Sequence, residues 1–389
     1  MNTYVNLVDF IKTHKNWEEL LSNPPYSINI KNNNPKHPDW YLFKYSQYAT
    51  DFSYDISKAC RGVVLQINED GVKGVCVPFQ KFFNLGEGNA AEIDWDNSVK
   101  VSLKYDGCLI KLSKFNGEIN FFTNGSMKTD VIASEAINNG LVSGSKTFQD
   151  LIDKCIEKHN ASEWVKNIPE GITFMFELFG PENRIIVDYK ESDLRLIGCY
   201  DHSNTEDPKS WFEYSTVEAK KKFNVPFEVP EFYSFKNIDV VVSELETWGK
   251  DKEGVVIRDV HFNRVKIKSN QYRALKYARE GGFTDKGLYN SYFEETLDDA
   301  LAVWEDVKDK AEQLKEKMND FVNWLNEKYS EALSEKNNGL TKKEVALKWK
   351  DLKYKNILFE GYDENHKTLK MFQNGELSFE KFQNYINMM

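Results

Sequence analysis

A lysine followed by an Asp-Gly turn is the strongest candidate for covalent chemistry in this sequence. Apolar residues alternate before Lys104 (Val99, Val101 and Leu103), which predicts a strand that ends at this lysine. Asp106-Gly107 is expected to turn the chain into the next strand. A lysine amine becomes a nucleophile when burial or neighbouring cations lower its pKa from about 10.4. The alternative is a solvated lysine in an ordinary hairpin.

A second pair of lysines occurs near residue 267, in the segment VKIKS. Lys266 and Lys268 are two residues apart on a predicted strand, so they share one face, while Val265 and Ile267 face the core. Two parallel ammonium groups can clamp a phosphate and can lower the pKa of a nearby lysine. The alternative is an edge strand whose lysines face solvent and prevent aggregation.

Two glutamates are candidates for binding a metal or a ligand. Glu177 lies among aromatic residues in FMFELFG, where a buried carboxylate needs a donor or a metal. A structural salt bridge to Arg184 would also satisfy it. Glu253 precedes the predicted strand VVIR, and a turn glutamate is its alternative interpretation. Arg61 and Lys81 place further cations beside strand ends.

The elements that must position these side chains form an α+β pattern. Strands are predicted at CRGVVLQI, VKVSL, CLIKLSKF, EINFF, ITFMFELFG, RIIVDY, LRLIGCY, EGVVIRD and RVKIKS, and helices at TDVIASEAINNG, 147–166 and VEAKKKF. From Glu294 onward, apolar residues recur at helical spacing among Glu and Lys. We therefore expect two domains, 1–283 and an all-helical 284–389, joined near GGF at 281–283.

Composition narrows the classes of protein that this chain can belong to. Of its 389 residues, 41% are hydrophobic, enough for a large core, yet no apolar run is long enough for a membrane span. The N-terminal residues do not resemble a secretion signal. Five cysteines without a C-x-x-C pair fit reduced thiols in the cytoplasm. The net charge of −10 argues against a protein that coats nucleic acid, although a local basic cleft stays compatible with it.

The order of the motifs resembles one superfamily of enzymes. KYDG, FELFGPENR, EGVVIRD and VKIKS follow one another as in the covalent nucleotidyltransferases, which include ATP-dependent ligases and mRNA capping enzymes. CRGVV and FQKFFNLGE make the sequence most similar to the phage-type ATP-dependent RNA ligase 1 family, which seals breaks in tRNA. The resemblance spans roughly residues 40 to 285. It implies a nucleotidyltransferase (ATP-grasp-like ligase) domain with antiparallel sheets, followed by an all-α C-terminal domain.

The resemblance also implies a role for each matching residue. Lys104 would accept AMP, Asp106 and Gly107 would shape its turn, and Tyr272 would be needed for sealing. The implied nucleotide contacts are Tyr45, Arg61, Lys81, Phe83, Glu177, Glu253, Lys266 and Lys268, and the implied metal ligands are Glu177, Glu253, Asp298 and Asp299. ATP would be the co-substrate, and Mg²⁺, with Mn²⁺ as the alternative, the metal. The partner would be single-stranded or nicked RNA, with a tRNA anticodon loop as a candidate.

Two positions depart from the family pattern. Cys108 follows KYDG where related ligases usually carry Ser, and Asn124 replaces a Lys or Arg, a charge that Lys128 could supply. Asp298-Asp299 has an alternative interpretation, because acidic residues are common in the first turn of any helix.

Two rival functions remain. One is a capping guanylyltransferase that uses GTP, although the helical C-terminal region disfavours it, because capping enzymes usually continue into a β-rich barrel. The other is a non-catalytic RNA-binding module, which would have no need to retain Lys104.

Overall fold

The chain divides into two compact units. In the computed structural model, the described residues are 3–46, 49–130, 147–279, 284–293, 308–352, 355–362 and 379–386. One unit comprises Met1–Tyr45 and Thr50–Tyr272, and the other comprises Ser46–Ala49 and Arg273–Met389. The predicted boundary at 283 falls outside the described residues and stays a prediction. Within the described part of the chain, no helix combines the length and the hydrophobicity that crossing a membrane requires.

The first sheet packs against the N-terminal helices. Its strands, in spatial order, are β1 (Ile28–Lys31), β2 (Trp40–Tyr45), β3 (Arg61–Asn68) and β4 (Gly71–Cys76), all antiparallel. Helices α1 (Thr3–Thr13), α2 (Trp17–Ser22) and α3 (Asp55–Ala59) belong to the same region of the chain. Leu7, Val8 and Ile11 on one face of α1 are buried against Val63 and Leu65 of β3 and their neighbours. This core fixes the start of β3, where Arg61 lies.

The second sheet contains Glu177. Its spatial order is β11 (Phe212–Tyr214), β10 (Asp193–Asp201), β9 (Ile172–Phe179), β7 (Cys108–Phe115) and β8 (Glu118–Thr123). Helices α4 (Phe148–Lys158), α5 (Ser162–Lys166) and α6 (Thr216–Lys222) cover it. The central strand β9 is apolar almost throughout, and Glu177 is the polar interruption in that buried run.

The third sheet carries the lysines. Its order is β12 (Phe232–Tyr233), β6 (Lys100–Lys104), β13 (Gly254–Arg258), β14 (Arg264–Lys268) and β5 (Phe83–Asn84), antiparallel except for β14 with β5. Lys104 lies opposite Gly254, which lies opposite Lys268. Val265 and Ile267 pack with α7 (Ile238–Glu246) in a core, as expected from their alternation with the lysines.

The turn at KYDG differs from the expected hairpin. Strand β6 pairs with β13 and β12, whereas β7 pairs with β8 and β9, so residues 105–107 carry the chain from one sheet to another. A Cβ at Gly107 would collide with the carbonyl oxygen of Leu178. Glycine is therefore required here for close backbone approach. Because Lys104 ends one sheet beside a second sheet, it faces a cleft, and the hairpin alternative is wrong.

The predicted strand RIIVDY is also wrong. Residues 184–189 form no ladder with another strand. The backbone amides of Ile186 and Val187 instead donate to Oδ2 of Asp106, at 2.7 and 2.8 Å. Because the carboxylate of Asp106 accepts these two hydrogen bonds, the amides need no partner strand, and this segment forms a loop in spite of its β-branched residues.

The second unit is helical in its described residues, as expected. After α8 (Asn270–Arg279), which begins in the first unit, it contains α9 (Asp285–Phe293), α10 (Lys308–Asn337), α11 (Lys342–Trp349), α12 (Lys355–Tyr362) and α13 (Phe379–Ile386). One core surrounds Phe321 and Phe382, and another surrounds Trp349 and Leu358. Asp298, Asp299 and most of the predicted helix TDVIASEAINNG lie outside the described residues.

Candidate active site

Lys104 and Lys268 share one carboxylate. Nζ of Lys104 lies 2.7 Å from Oε2 of Glu253, and Nζ of Lys268 lies 3.4 Å from Oε1 of the same residue. Glu253 is 2% exposed. Backbone pairing creates this cluster, because Gly254 lies between Lys104 and Lys268 in the sheet. The turn interpretation of Glu253 therefore misses its role, which is to hold two lysines at the same end of the sheet.

A cavity of about 470 Å³ opens beside Lys104. Such a volume is in the range of small-molecule and cofactor sites. The predicted site residues that line it are Lys104, Gly107, Arg61 and Glu177, together with Cys108 and Asn124 from the two departures. Arg258 and Arg264 lie in its wall, with Val256 and Ile197. The cavity therefore combines cations, one carboxylate and an apolar slot.

Glu177 is an unusual carboxylate in this cavity. Burial raises its pKa to about 7; Lys104 and Arg61 oppose the rise, and Glu253 adds to it. The suggested salt bridge to Arg184 does not form, because Arg184 pairs with Asp188 at 3.5 Å. Glu177 thus faces the cavity near neutrality as a mixture of acid and carboxylate.

Asp106 anchors the turn that follows the lysine. Besides the two loop amides, its Oδ1 accepts a 2.6 Å hydrogen bond from the hydroxyl of Tyr272, which is 1% exposed. The amide of Asp106 donates to the hydroxyl of Tyr189 at 3.0 Å. Asp106 and Tyr272 lie behind the cavity wall, so the geometry gives them the task of fixing the backbone around Lys104.

Lys81 is held by three aromatic rings. Its Nζ lies 4.6 Å from the ring centroids of Tyr45 and Phe52, and 5.1 Å from that of Phe83. Contacts of this kind favour the charged ammonium. Phe83 pairs with Val265 in the sheet, which places the Lys81 cage beside strand β14. Tyr45, Lys81 and Phe83 do not line the cavity, and they come together as one cluster next to it.

Arg61 and Asn124, which both line the cavity, each present an unsatisfied atom. Nη1 of Arg61 and Oδ1 of Asn124 are buried and lack a hydrogen-bond partner within the described structure. The neighbouring Lys111 is fully buried, and its Nζ donates to the carbonyl of Gly62. Burial lowers the pKa of Lys111 to about 8. A buried cation thus lies near Asn124, whereas Lys128 is exposed and does not line the cavity.

Several contributors escaped the sequence analysis. Arg258, Arg264 and Ile197 line the cavity, and Lys111 supports it. The two arginines had a detectable signal in the sequence. Arg264 continues the two-residue alternation of the lysines on β14, and Arg258 follows the same alternation on β13. Ile197 had none, since a bulge in β10 places it in the cavity. Cys108 also lines the cavity, and burial raises the pKa of its thiol to about 12, so it stays protonated at neutral pH.

The acidic residues provide at most a partial metal site. No group of three or more His, Cys, Asp or Glu side chains suited to a metal occurs in the described part of the chain. Glu177 and Glu253 both act electrostatically on Lys104, as two carboxylates of one site. A pair of carboxylates fits Mg²⁺ that also binds substrate phosphates, because this ion commonly takes one or two protein carboxylates.

Comparisons with known proteins agree on one family. The RNA ligase family model of the T4 RNA ligase 1 type matches residues 59–272, more than half of the chain. The RNA ligase of Rhodothermus phage RM378 is 25% identical over 390 residues, covering 85% of this chain and 87% of that protein.

Solved structures of archaeal ATP-dependent RNA ligase were also matched. Form 1 gives a TM-score of 0.44 at 11% identity, covering 81% of this chain and 78% of that one. Form 2 gives 0.44 at 11%, covering 94% and 81%. On the strength of the family match over residues 59–272, the chain belongs to the RNA ligase family of the T4 RNA ligase 1 type, enzymes that join RNA ends.

Proposed function

We propose that the chain joins a 3′-hydroxyl to a 5′-phosphate of RNA with ATP as co-substrate, through an AMP adduct on Lys104. The observation that carries the proposal is the position of Lys104. Its amine lies at the wall of a 470 Å³ cavity, 2.7 Å from the buried carboxylate of Glu253. A lysine in the wall of a cavity of this size supports its attack on the phosphorus atom of a bound nucleotide.

The first step forms a phosphoramidate. After Lys104 loses a proton, its amine attacks the α-phosphorus of ATP; the N–P bond forms, the bond to the β-phosphate oxygen breaks, and pyrophosphate leaves. Lys266, Lys268 and Arg61 would neutralise charge on the phosphates. Preorganised cations of this kind stabilise the charge that develops in the transition state. Lys81, in its aromatic cage beside β14, would add to the positive field.

The pair Glu177 and Glu253 would hold Mg²⁺ or Mn²⁺. Such an ion supplies charge neutralisation on the transferring phosphoryl group. Glu253 is paired with two lysines, so ligation by its carboxylate would loosen its hold on Lys104. Glu177 must be ionised to bind the metal ion. Because its pKa is about 7, a fraction of the molecules would release a proton on metal binding at neutral pH. The raised pKa therefore makes metal affinity increase with pH through neutrality.

The remaining steps transfer AMP and then seal the RNA. A 5′-phosphate oxygen attacks the phosphorus on Lys104, which restores the free lysine and leaves AMP on the RNA end. The 3′-hydroxyl then attacks the 5′-phosphorus, forms the phosphodiester and expels AMP. We propose nicked or single-stranded RNA as the substrate, with a cleaved tRNA anticodon loop as the physiological candidate and the cytoplasm as the location.

Intact mass spectrometry tests the proposal directly. The protein is incubated with ATP and Mg²⁺, then with GTP and Mg²⁺ in a parallel sample, and each adduct is located by peptide mapping. ATP should add one AMP to Lys104, and later addition of 5′-phosphorylated RNA should remove it. A GMP adduct in place of AMP would identify a guanylyltransferase, and no adduct with either nucleotide would favour a binding module.

A further inference from the structure

Arg258 lies at the far end of the strand that supports the lysine cluster. On β13 it shares a face with Gly254 and Val256, and it lies opposite Lys100 and Arg264 on the neighbouring strands. Arg258 lies four positions after Gly254, the partner of Lys104, which corresponds to about 13 Å along the strand. Both ends of this row border the same cavity, because Lys104 and Arg258 line it together.

The guanidinium of Arg258 has no counter-ion in direct contact. Across the described residues it makes no hydrogen bond or ion pair, and its Cζ lies 4.4 Å from the ring centroid of Phe262. The neighbouring Arg264 differs, because it forms a two-pronged pair with Glu213. Burial lowers the pKa of Arg258, and the charge of Arg264 lowers it further, against the opposing fields of Glu213, Glu218 and Asp259. Arg258 thus lines the cavity with a guanidinium whose N–H donors have no protein acceptor among the described residues.

Apolar side chains line much of the cavity beside Lys104 and Arg258, and the hydroxyl of Ser102, opposite Val256, is hydrogen-bonded to the Val256 carbonyl at 3.3 Å. Val256 forms one side from the third sheet. Ile197 enters from the second sheet because β10 has a register shift between Leu196 and Gly198, which leaves Ile197 without a partner residue in β9. Phe232 adds an aromatic edge. Aliphatic and aromatic walls with a charged donor beside them suit a heterocyclic base better than a phosphate, which the lysine cluster at the other end of β13 would bind.

We propose that Arg258 donates a hydrogen bond to a ring-nitrogen acceptor of the nucleotide base while the phosphates lie at Lys104. The inference rests on the proposed function, because it needs a nucleotide bound at that lysine. Guanidinium is a donor without acceptor capacity, so it pairs with N1, N3 or N7 of adenine and not with the amino group at C6. Arg258 is therefore a base-recognising residue for the co-substrate. A bond to N1 would also exclude guanine, which carries a hydrogen at that nitrogen, whereas N3 and N7 are acceptors in both purines.

Base analogues combined with variants of Arg258 test the proposal. The measured quantity is kcat/KM for adduct formation with ATP and with 1-deaza-, 3-deaza- and 7-deaza-ATP, each of which lacks one acceptor. The wild-type protein should use one of the three analogues about 10- to 100-fold less well than ATP, as expected for a lost hydrogen bond to a charged donor. With ATP, the kcat/KM of Arg258→Met should be lower than that of the wild-type protein by a similar factor. Replacing ATP with that analogue should not lower the kcat/KM of Arg258→Met further.

Two further variants keep the result interpretable. Lys100→Ala removes a positive charge from the same row of the sheet outside the cavity, and it should react like the wild-type protein with all four nucleotides. Arg258→Lys, which keeps a cation beside Phe262, replaces Arg258→Met if that variant is unstable. In Arg258→Lys, the loss of kcat/KM between ATP and the sensitive analogue should be smaller than in the wild-type protein. If every analogue lowers kcat/KM relative to ATP by the same factor in the wild-type protein and in the Arg258 variants, the role of Arg258 is overturned. The proposed function would not be affected by this result. Absence of an adduct in the wild-type protein would overturn the proposed function and this inference together.

Discussion

The pairing of Lys104 with Glu253 defines the resting state of the proposed nucleophile. A protonated lysine 2.7 Å from a buried carboxylate is a stable pair, and it is unreactive toward phosphorus. Lys268 competes for the same carboxylate from the adjacent strand. Substrate phosphates and a divalent cation would redistribute these contacts, so the reactive amine arises when ligands bind.

Replacement of the lysine should separate chemistry from folding. We expect Lys104→Ala to abolish the AMP adduct. Among the described residues, Lys104 both contacts Glu253 and lines the cavity, whereas Lys268 contacts Glu253 without lining it. Lys100→Ala, an exposed lysine on the same strand, is the matched control and should keep wild-type adduct formation. Peptide mass mapping measures the adduct, and thermal melting verifies the fold. Adduct on a different lysine in the wild-type protein would contradict the assignment.

Glu177 should make stability depend on pH. Its folded pKa of about 7 exceeds the ordinary value of 4.5, so the folded state binds more protons between these values. Its contribution to stability is fully present below pH 4.5 and is lost as the pH rises through 7. Glu177→Gln should therefore match the wild-type protein at low pH and exceed its unfolding free energy by up to about 3 kcal/mol above pH 8.

The measurement is urea unfolding of both proteins across this pH range, without nucleotide or metal. Glu157→Gln, on the exposed side of α4, is the control and should show no pH-dependent difference. A constant offset between Glu177→Gln and the wild-type protein at all pH values would show that Glu177 has the same pKa in the folded and unfolded states and would contradict the prediction.

At the scale of elements, strand β14 has two faces with different tasks. Val265 is fully buried in a core with α7, whereas Lys266 faces the opposite side. Lys266→Ala should lower adenylation at least 100-fold with little change in stability. Val265→Ala should instead cost about 2 kcal/mol of unfolding free energy through lost burial and a cavity. Wild-type adenylation by Lys266→Ala would limit β14, which pairs with β13 on one side and β5 on the other, to a structural role.

The hydroxyl of Tyr272 should matter through Asp106. Removing it in Tyr272→Phe leaves one oxygen of a buried carboxylate without its 2.6 Å donor, which costs about 1–3 kcal/mol. Because the same carboxylate holds the loop amides of Ile186 and Val187, the backbone at Lys104 should loosen and adenylation should slow. Melting temperature and adenylation rate should fall together; slowed sealing with normal adenylation and stability would point to direct contact with RNA.

The sequence predicted elements better than it predicted their partners. Alternation located β6, β7 and β14, since burial of one face imposes a period of two, and short runs of apolar residues located β9 and β13. It missed that β6 and β7 join different sheets, because a short turn is compatible with either outcome. The sequence analysis also predicted a strand at residues 184–189, because β-branched residues favour strands. In the structure, two backbone amides of this segment donate to Asp106 instead of to a neighbouring strand. The bulge that exposes Ile197 to the cavity left no trace in residue types.

At the scale of the whole molecule, the described helices of the second unit contain none of the predicted nucleotide contacts. Their apolar residues form two cores of their own, around Phe321 and around Trp349. On α11, Val345 and Trp349 face inward, whereas Lys343, Leu347 and Lys350 recur at helical spacing on an exposed side. We call these last three residues the α11 outer face. Exposed lysines beside an apolar side chain in an acidic chain suit contact with RNA.

The α11 outer face leads to the final prediction, that the helical unit selects structured RNA. Lys343 and Lys350 make no side-chain ion pair in the described structure, whereas Lys348 is held by Glu335. Lys343→Glu combined with Lys350→Glu should leave adenylation unchanged, because Lys104 and its cavity are built from residues of the other unit.

The same double variant should weaken sealing of a nicked anticodon stem-loop more than sealing of a short single strand. It should also flatten the salt dependence of binding to the stem-loop by about 0.7–0.9 logarithmic units per lost phosphate contact. Lys315→Glu on the exposed side of α10 is the single-charge control and should act on neither RNA. Equal sealing of both RNAs by the double variant and the wild-type protein would leave the α11 outer face as a solvated surface, because removal of a real phosphate contact must change affinity and its salt dependence together.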